Sequence, residues 1–214
     1  MMQDFDLSLY LVTDRGYIGE RKLANVVREA VEGGVTVVQL REKKADTREF
    51  IELAQDIQMI LYKYYLPLII NDRLDIAQAV EADGVHLGQH DMPVEMARDI
   101  LGPEPIIGLS VENMEQLREA NQKEVDYIGL SPLFVTGTKP ELQHEWGLEG
   151  LKKASLESEH PLVAIGNIDS GNVGQVIQSG ADGVAVVSDI CAAHDPRAAA
   201  QKLWQGIQKS REDA

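Results

Sequence analysis

The sequence contains one cysteine, Cys191, among its 214 residues. A single thiol cannot form an intramolecular disulfide, and no Cys and His residues at metal-ligand spacing surround it. The composition therefore excludes a disulfide framework and favours a reducing compartment. We expect Cys191 to be a buried, unreactive thiol.

Long apolar segments are also lacking. Nowhere do about 18 consecutive apolar residues occur, which is roughly the length of a membrane-spanning helix. The N-terminal residues MMQDFDLSLYLVTDR do not combine a basic segment with a following apolar one, as a secretory signal does. We therefore expect a cytoplasmic protein without a membrane partner.

Positive charge is the third scarce feature. The chain has 20 Lys and Arg residues against 35 Asp and Glu residues, a formal net charge of -15. Such a protein repels a polyanion unless its cations are strongly clustered. The charge balance argues against a nucleic-acid partner, and the oligomeric state is not predicted from the sequence.

The order of apolar segments indicates the fold. Short β-branched segments alternate with longer amphipathic ones, such as 23–34, 47–65, 94–102 and 172–183. Eight parallel strands are the number that closes a barrel, so we predict one α/β domain over residues 1–214, a (β/α)8 TIM barrel. A doubly wound open sheet is the alternative, although it usually has five or six strands. The predicted strands are 7–14, 36–41, 68–72, 84–88, 106–110, 127–131, 161–166 and 183–188.

A faint internal repeat supports this arrangement. The tetrapeptides at 82–85, 125–128 and 181–184 resemble one another, and each lies where a predicted helix ends and a strand begins. We predict that the same turn is used three times.

Polar side chains follow most of the predicted strands. Period-two alternation places Gln39 and Arg41 on one face of the second strand, and Asn71 and Ser110 end later strands. The carboxyl ends of barrel strands form the active site, where guanidinium and ammonium groups such as those of Arg41, Lys43 and Lys139 suit phosphate oxygens. The alternative is that Arg41 and Lys43 are solvated surface charges.

Two carboxylates follow neighbouring strands. Asp72 ends the third predicted strand and Asp91 follows the fourth. Mg²⁺ typically takes one or two carboxylates together with water and substrate phosphate, so this pair is a candidate metal site. Helix capping is the alternative for both, because Asp72 precedes a helical pattern and Asp91 lies two residues before Pro93.

Two further segments could bind anions. A long loop over 132–145 contains Thr136, Gly137, Thr138 and Lys139, which offer hydroxyls, a close backbone approach and a cation. A second phosphate position is expected where Gly166 follows the seventh strand and Val187-Ser188 follows the eighth. Ordinary loop turns without a ligand are the alternative for both segments.

Covalent catalysis is not indicated. No Ser/His/Asp order or reactive Cys/His pair is present, and the five histidines form no metal motif. We expect His86, on the fourth strand, to be a hydrogen-bonded core histidine rather than a catalyst.

These segments resemble one family, the thiamine-phosphate synthases. The motifs LYLVTDR, GGVTVVQLREK, LIINDR, DGVHLGQHD, IGLS, FVTGTK, AIGNI and GVAVVS occur in order over residues from about 8 to 190. The resemblance implies an enzyme that joins hydroxymethylpyrimidine diphosphate to a thiazole phosphate, in carboxylated form or not, and releases pyrophosphate with Mg²⁺ by a dissociative mechanism. The alternatives are a thiazole tautomerase of the same barrel family and a non-catalytic protein that binds a phosphate ligand.

The resemblance also assigns roles. Asp72 and Asp91 would ligate Mg²⁺, and catalysis would rest on Arg41, Lys43 and Lys139. One departure is Asn167, where many relatives have a second Gly. The pyrimidine diphosphate would contact Gln39, Arg41, Lys43, Asn71, Ser110 and Lys139, and the thiazole phosphate would contact Thr136, Gly137, Thr138, Gly166, Val187 and Ser188.

Overall fold

A computed structural model describes residues 5–134 and 145–213. Its strands pair in parallel and in sequence order, and the first pairs with the eighth, so that the sheet is a closed barrel. The predicted (β/α)8 barrel is confirmed, and the open sheet is excluded. The strands are β1 (Leu9–Val12), β2 (Val37–Leu40), β3 (Leu68–Asn71), β4 (Gly84–Leu87), β5 (Ile106–Val111), β6 (Tyr127–Leu130), β7 (Leu162–Ile165) and β8 (Gly183–Val186).

The helices surround this barrel. They are α1 (Leu23–Glu32), α2 (Thr47–Leu61), α3 (Leu74–Val80), α4 (Val94–Leu101), α5 (Met114–Ala120), α6 (Gly147–Glu157), α7 (Val173–Gln178), α8 (Ser188–Cys191) and α9 (Pro196–Glu212). The segment predicted as helical over 47–65 leaves the α-helix after Leu61 and forms a 3₁₀ turn over Tyr62–Tyr64. Tyr65 ends this turn with a left-handed φ of 55°, and Pro67 disfavours helical backbone at the residue before it, so the helix does not resume. None of the helices in the described ranges is both long and apolar enough to cross a membrane.

Side chains of the strands form two separate cores. Residues such as Leu9 and Leu11 point outward and pack beneath the helices, whereas Tyr10 and Val12 point into the barrel. This alternation follows from the period of two in a β-strand. The barrel interior is therefore filled by side chains over its lower part, and its polar residues lie toward the carboxyl ends of the strands.

The predicted repeat has a structural function. The carboxylates of Asp83, Asp126 and Asp182 each accept a hydrogen bond from a backbone N–H on the strand before, at 2.7–2.8 Å. The donors are the N–H groups of Leu68, Ile107 and Leu162, near the amino ends of β3, β5 and β7. Each repeat thus fastens two adjacent strands at the end of the barrel away from the site.

Cys191 is fully buried in α8, as predicted. Burial raises the pKa of its thiol to about 11, so that the thiol is protonated at neutral pH.

Candidate active site

The candidate site is a cavity of about 530 Å³ at the carboxyl ends of the strands. All eight strands contribute to its lining. A smaller hollow of about 400 Å³, around Phe5 and Tyr65, has no cationic residue in its lining. The lining of the cavity at the strand ends includes Arg41, which favours this cavity over the smaller hollow as the phosphate site. The sequence-predicted residues that line it are Gln39, Arg41, Asn71, Ser110, Gly166, Val187 and Ser188.

Arg41 is positioned by the loop that follows β1. Its backbone N–H donates to the hydroxyl of the buried Thr13 at 3.1 Å, and its guanidinium lies 3.6 Å from the carboxylate of Asp14. The next residue, Glu42, forms an ion pair with Arg15 at 2.9 Å. The structure therefore places Arg41 on the cavity wall with one long ion pair, not as a fully solvated surface charge.

Lys43 and the two predicted metal ligands, Asp72 and Asp91, are not among the residues that line this cavity, and they form a cluster of their own. The Lys43 side chain is 53% exposed. Its ammonium group forms an ion pair with Asp72. Asp91 accepts a hydrogen bond from the backbone N–H of Gly88 at 2.7 Å. The pKa of the Asp91 carboxyl is raised, first by burial and further by the neighbouring Asp72, while Gly88 and Lys43 oppose the shift. The two carboxylates are thus close enough to interact.

The capping alternative for these carboxylates is wrong. The cap position of α3 is Arg73 rather than Asp72, and that of α4 is Pro93 rather than Asp91. Neither cap residue makes a side-chain hydrogen bond to its helix. Asp72 and Asp91 make their hydrogen bonds and ion pairs elsewhere, as described above. Their placement supports a shared function at the strand ends.

Five side chains form a hydrogen-bonded chain across the bottom of the cavity. Gln39 Nε2 donates to the Tyr10 hydroxyl at 2.9 Å, and the Tyr10 and Tyr127 hydroxyls are 2.7 Å apart. The Tyr127 hydroxyl is 2.9 Å from Nδ1 of His86, and Nε2 of His86 is 2.8 Å from Oγ of Ser110. The predicted hydrogen-bonded core histidine is confirmed. Tyr10 and Tyr127 were missed, although period-two alternation in their strands places both inward.

Burial controls the protonation of this chain. Desolvation lowers the pKa of His86 to about 4, with a smaller opposing effect of Asp72, so the ring is neutral at neutral pH. Burial also raises the pKa values of Tyr10 and Tyr127 above their usual range. All three groups are therefore uncharged hydrogen-bonding partners.

The predicted thiazole-phosphate side lies after β7 and β8. Gly166 has a φ of 119°, and a Cβ there would be 3.0 Å from the Leu133 backbone N. Asn167 also lines the cavity with a φ of 51°, a left-handed conformation that Asn tolerates better than most residues. The backbone conformation at this position is therefore compatible with Asn167.

Four predicted residues of the long loop lie outside the described residues, namely Thr136, Gly137, Thr138 and Lys139. Asp14, Asp169 and Asp189 also line the cavity and were not predicted. Burial raises the pKa of Asp189, and the neighbouring Asp169 raises it further. The signal for Asp14 was its place at the end of the predicted strand 7–14, since strand-end residues reach the mouth of a barrel.

A family model described as thiamine monophosphate synthase matches residues 9–190. The chain belongs to this family. The thiamine-phosphate synthase of Vibrio campbellii is 54% identical over 198 residues, covering 91% of this chain and 95% of that protein. That of Albidiferax ferrireducens is 52% identical over 201 residues, covering 94% and 92%. The resemblance seen in the motifs is thereby confirmed.

Solved structures agree with the thiamine monophosphate synthase family. The thiamine phosphate pyrophosphorylase of Pyrococcus furiosus has a TM-score of 0.88 and 40% identity, covering 96% of this chain and 97% of that chain. A 3-hexulose-6-phosphate synthase has a TM-score of 0.64 at 15% identity, covering 93% and 99%, and it shows the fold alone. Since one fold accommodates different reactions, the site must carry the functional argument.

Proposed function

We propose that the protein is a thiamine-phosphate synthase that joins hydroxymethylpyrimidine diphosphate to a thiazole phosphate, giving thiamine phosphate and pyrophosphate. The observation that carries this proposal is the meeting of Gln39, Arg41, Asn71 and Ser110 in one cavity at the strand ends. The names of relatives more than 50% identical over most of the chain support the same reaction.

The diphosphate is assigned to the cationic side of the cavity. Arg41 offers a planar pair of N–H donors that fits two phosphate oxygens, and Lys43 supplies a compact charge two residues further along the chain. Both cations have carboxylate partners, Asp14 and Asp72, so an arriving diphosphate competes with these carboxylates. Lys139 is a predicted third cation for the same group.

The carboxylate pair fits Mg²⁺. No group of three or more His, Cys, Asp or Glu side chains able to hold a metal occurs in residues 5–134 and 145–213. Mg²⁺ does not require one, because it commonly binds through one or two carboxylates plus water and substrate phosphate. Asp72 and Asp91 supply hard oxygen donors. The pKa of Asp91 is raised first by burial and further by the neighbouring Asp72, and a bound cation would offset the effect of Asp72. When bound, Mg²⁺ would help to neutralise the charge on the diphosphate.

The protein's own residues act on binding and charge. The bond between the pyrimidine methylene carbon and a diphosphate oxygen breaks, and both electrons leave with the diphosphate. In this proposal Arg41 and Lys43 stabilise that charge, and binding of both substrates in one cavity brings the thiazole nitrogen to the methylene carbon, where its lone pair forms the new carbon–nitrogen bond. No protein nucleophile is needed, which agrees with the buried, protonated Cys191.

The structure disfavours a tautomerase that uses His86. Both ring nitrogens of His86 already have hydroxyl partners, and only 9% of the residue is exposed. A proton-transferring histidine needs a nitrogen that reaches the substrate. His86 lacks one.

The test mixes purified protein, both substrates and Mg²⁺, and follows thiamine phosphate and pyrophosphate. We expect both products in equal amounts, and none when either substrate is omitted. Isomerised thiazole without pyrophosphate would support the tautomerase. Binding of both ligands without turnover would support the non-catalytic alternative.

A further inference from the structure

The hydrogen-bonded chain beneath the cavity connects two residues of the proposed substrate site. We call it the relay; its members are Gln39, Tyr10, Tyr127, His86 and Ser110. All five line the cavity, and Gln39 and Ser110 stand at the two ends of the relay. The relay passes through residues of β2, β1, β6, β4 and β5, so a hydrogen-bond change at one end can be transmitted across the barrel.

The Gln39 amide nitrogen determines the direction of the first bonds, because it can only donate. The Tyr10 oxygen accepts from it, and the only other hydrogen-bond neighbour of that hydroxyl in the described part of the chain is Tyr127. The Tyr10 hydrogen therefore points to the Tyr127 oxygen. The Tyr127 hydrogen in turn points to its other neighbour, Nδ1 of His86.

His86 connects Tyr127 to Ser110 and keeps the same order of donor and acceptor. A neutral imidazole has one N–H, so a ring that accepts at Nδ1 is protonated at Nε2. Nε2 then donates to Oγ of Ser110, which lies 2.8 Å away. Within the relay no acceptor remains for the Ser110 hydroxyl hydrogen. Because Ser110 lines the cavity, that hydrogen is available to a ligand.

We propose that the relay runs in one direction, from the Gln39 amide to the Ser110 hydroxyl, and thereby fixes His86 as the Nε2–H tautomer and Ser110 as a hydrogen-bond donor to the substrate. Tyr10, Tyr127 and His86 are positioning residues in this scheme, because they act through Ser110. The effect on substrate rests on the proposed function; the tautomer of His86 does not.

Burial makes the direction matter. Tyr10 and Tyr127 are each 1% exposed, so a hydroxyl that lost its partner could not turn to bulk water. The reverse direction is consistent only if the Gln39 amide turns its oxygen toward Tyr10. Gln39 would then present N–H groups to the ligand, and Ser110 would present only lone pairs. The two ends of the relay must therefore change together.

The inferred direction suits an aminopyrimidine diphosphate. With its nitrogen bonded to Tyr10, the Gln39 amide leaves its oxygen free to accept from an amino group. Ser110 donates, which suits ring nitrogens or diphosphate oxygens, since both are acceptors. In the reverse direction, Gln39 would turn N–H groups toward the amino group, and Ser110 would turn lone pairs toward the acceptor atoms, so neither contact would be a hydrogen bond.

The first experiment measures the tautomer of His86 directly. A variant with His90, His144, His160 and His194 replaced by Gln leaves His86 as the single histidine, and ¹⁵N-labelled protein then gives one imidazole pattern in long-range ¹H–¹⁵N spectra. We expect the Nε2–H tautomer in the ligand-free protein at neutral pH. An Nδ1–H or doubly protonated ring would overturn the proposal, whatever the catalytic assay shows. If that variant does not fold, the His86 signal of the wild type is assigned by its absence in His86→Asn.

The second experiment tests whether the two ends are coupled. Gln39→Glu replaces the only obligate donor with an acceptor of the same shape, so at alkaline pH we expect the His86 proton to move from Nε2 to Nδ1. The matched control, Asn167→Asp, adds the same charge to the cavity wall outside the relay and should leave the tautomer unchanged. An unchanged Nε2–H pattern in Gln39→Glu, or the same change in both variants, would refute the coupling.

A double-mutant cycle connects the relay to turnover. We expect Tyr127→Phe to lower kcat/KM for the pyrimidine diphosphate roughly tenfold when Ser110 is present, and to have almost no effect in a Ser110→Ala background. Additive losses would show that Tyr127 does not act through Ser110 and would reject its positioning role. A wild-type protein without synthase activity would contradict the proposed function while leaving the tautomer result intact.

Discussion

A methyl group added at Gly108 would test the packing beneath the cavity. Gly108 lies in β5, and a Cβ built there would be 2.2 Å from Cζ of Tyr127 and 2.5 Å from Nδ1 of His86. Carbon atoms in contact prefer about 3.5–4.0 Å, so Gly108→Ala requires a displacement of roughly 1 Å or more. Both rings are buried, stacked with centroids 5.5 Å apart, and joined by a hydrogen bond.

The magnitude follows from these contacts. Overpacking a filled core costs about 1–3 kcal/mol, and loss of a buried hydrogen bond adds about 1–3 kcal/mol. Replacing Gly by Ala regains about 0.4–1 kcal/mol from the unfolded chain, which is too little to reverse the sign. We expect Gly108→Ala to lower the free energy of unfolding by about 2–4 kcal/mol and the Tm by roughly 5–15 °C.

The assay is urea unfolding followed by circular dichroism, with Tm as a second measurement. Gly129→Ala is the control, because it faces the same histidine but its Cβ would lie 3.2 Å from Cε1, a contact that needs only a small shift. We expect its loss to be below about 1 kcal/mol. Equal stability of Gly108→Ala and the wild type would refute the reasoning, since it would mean that the rings do not pack against this strand.

Three further predictions concern charge. Arg41→Ala should weaken binding of the pyrimidine diphosphate by roughly tenfold or more and of the thiazole phosphate much less, measured by calorimetry; equal losses would reject its assignment to the diphosphate. Asp91→Ala should abolish Mg²⁺-dependent turnover and leave the circular dichroism spectrum unchanged, whereas full activity would remove Asp91 from the metal site. Because burial lowers the pKa of His86 from 6.5 to about 4, the unfolded chain binds this proton first as pH falls, so stability is lost from about pH 6.5 down to about pH 4. At about pH 5 the loss from this group is roughly 2 kcal/mol by urea unfolding, and an equally steep acid loss in His86→Gln would show that other groups cause it.

The strands and the cavity wall were predictable because they depend on local patterns. Short apolar segments bounded by turns are typical of strands buried on both faces, and each predicted strand overlaps an observed one. The period of two then decides which side chains enter the barrel. That rule alone placed Gln39 and Arg41 on the inner face, where the structure has them.

The relay was not predictable from local patterns. Tyr10 and Tyr127 are 117 residues apart, and their hydroxyls meet only because β1 and β6 face each other across a closed barrel. In the sequence each is one inward aromatic residue among many apolar ones. The same limit applies to the internal repeat that includes Asp83. The sequence indicated the turn, but it did not indicate that the Asp83 carboxylate accepts a hydrogen bond from the backbone N–H of Leu68.

Pairing of charges explains how a protein of net charge -15 can accept phosphate substrates. Arg41 and Lys43 do not stand alone at the strand ends, because Asp14 and Asp72 hold them in place before substrate arrives. Half-exposed ion pairs of this kind contribute little stability, so exchanging the carboxylate for a diphosphate oxygen costs little. The carboxylates released in that exchange are negative groups beside a diphosphate, and for Asp72 a divalent cation is the partner that removes the repulsion. On this reasoning, Mg²⁺ and the diphosphate should strengthen each other's binding, and a diphosphate affinity that is the same with and without Mg²⁺ would contradict it.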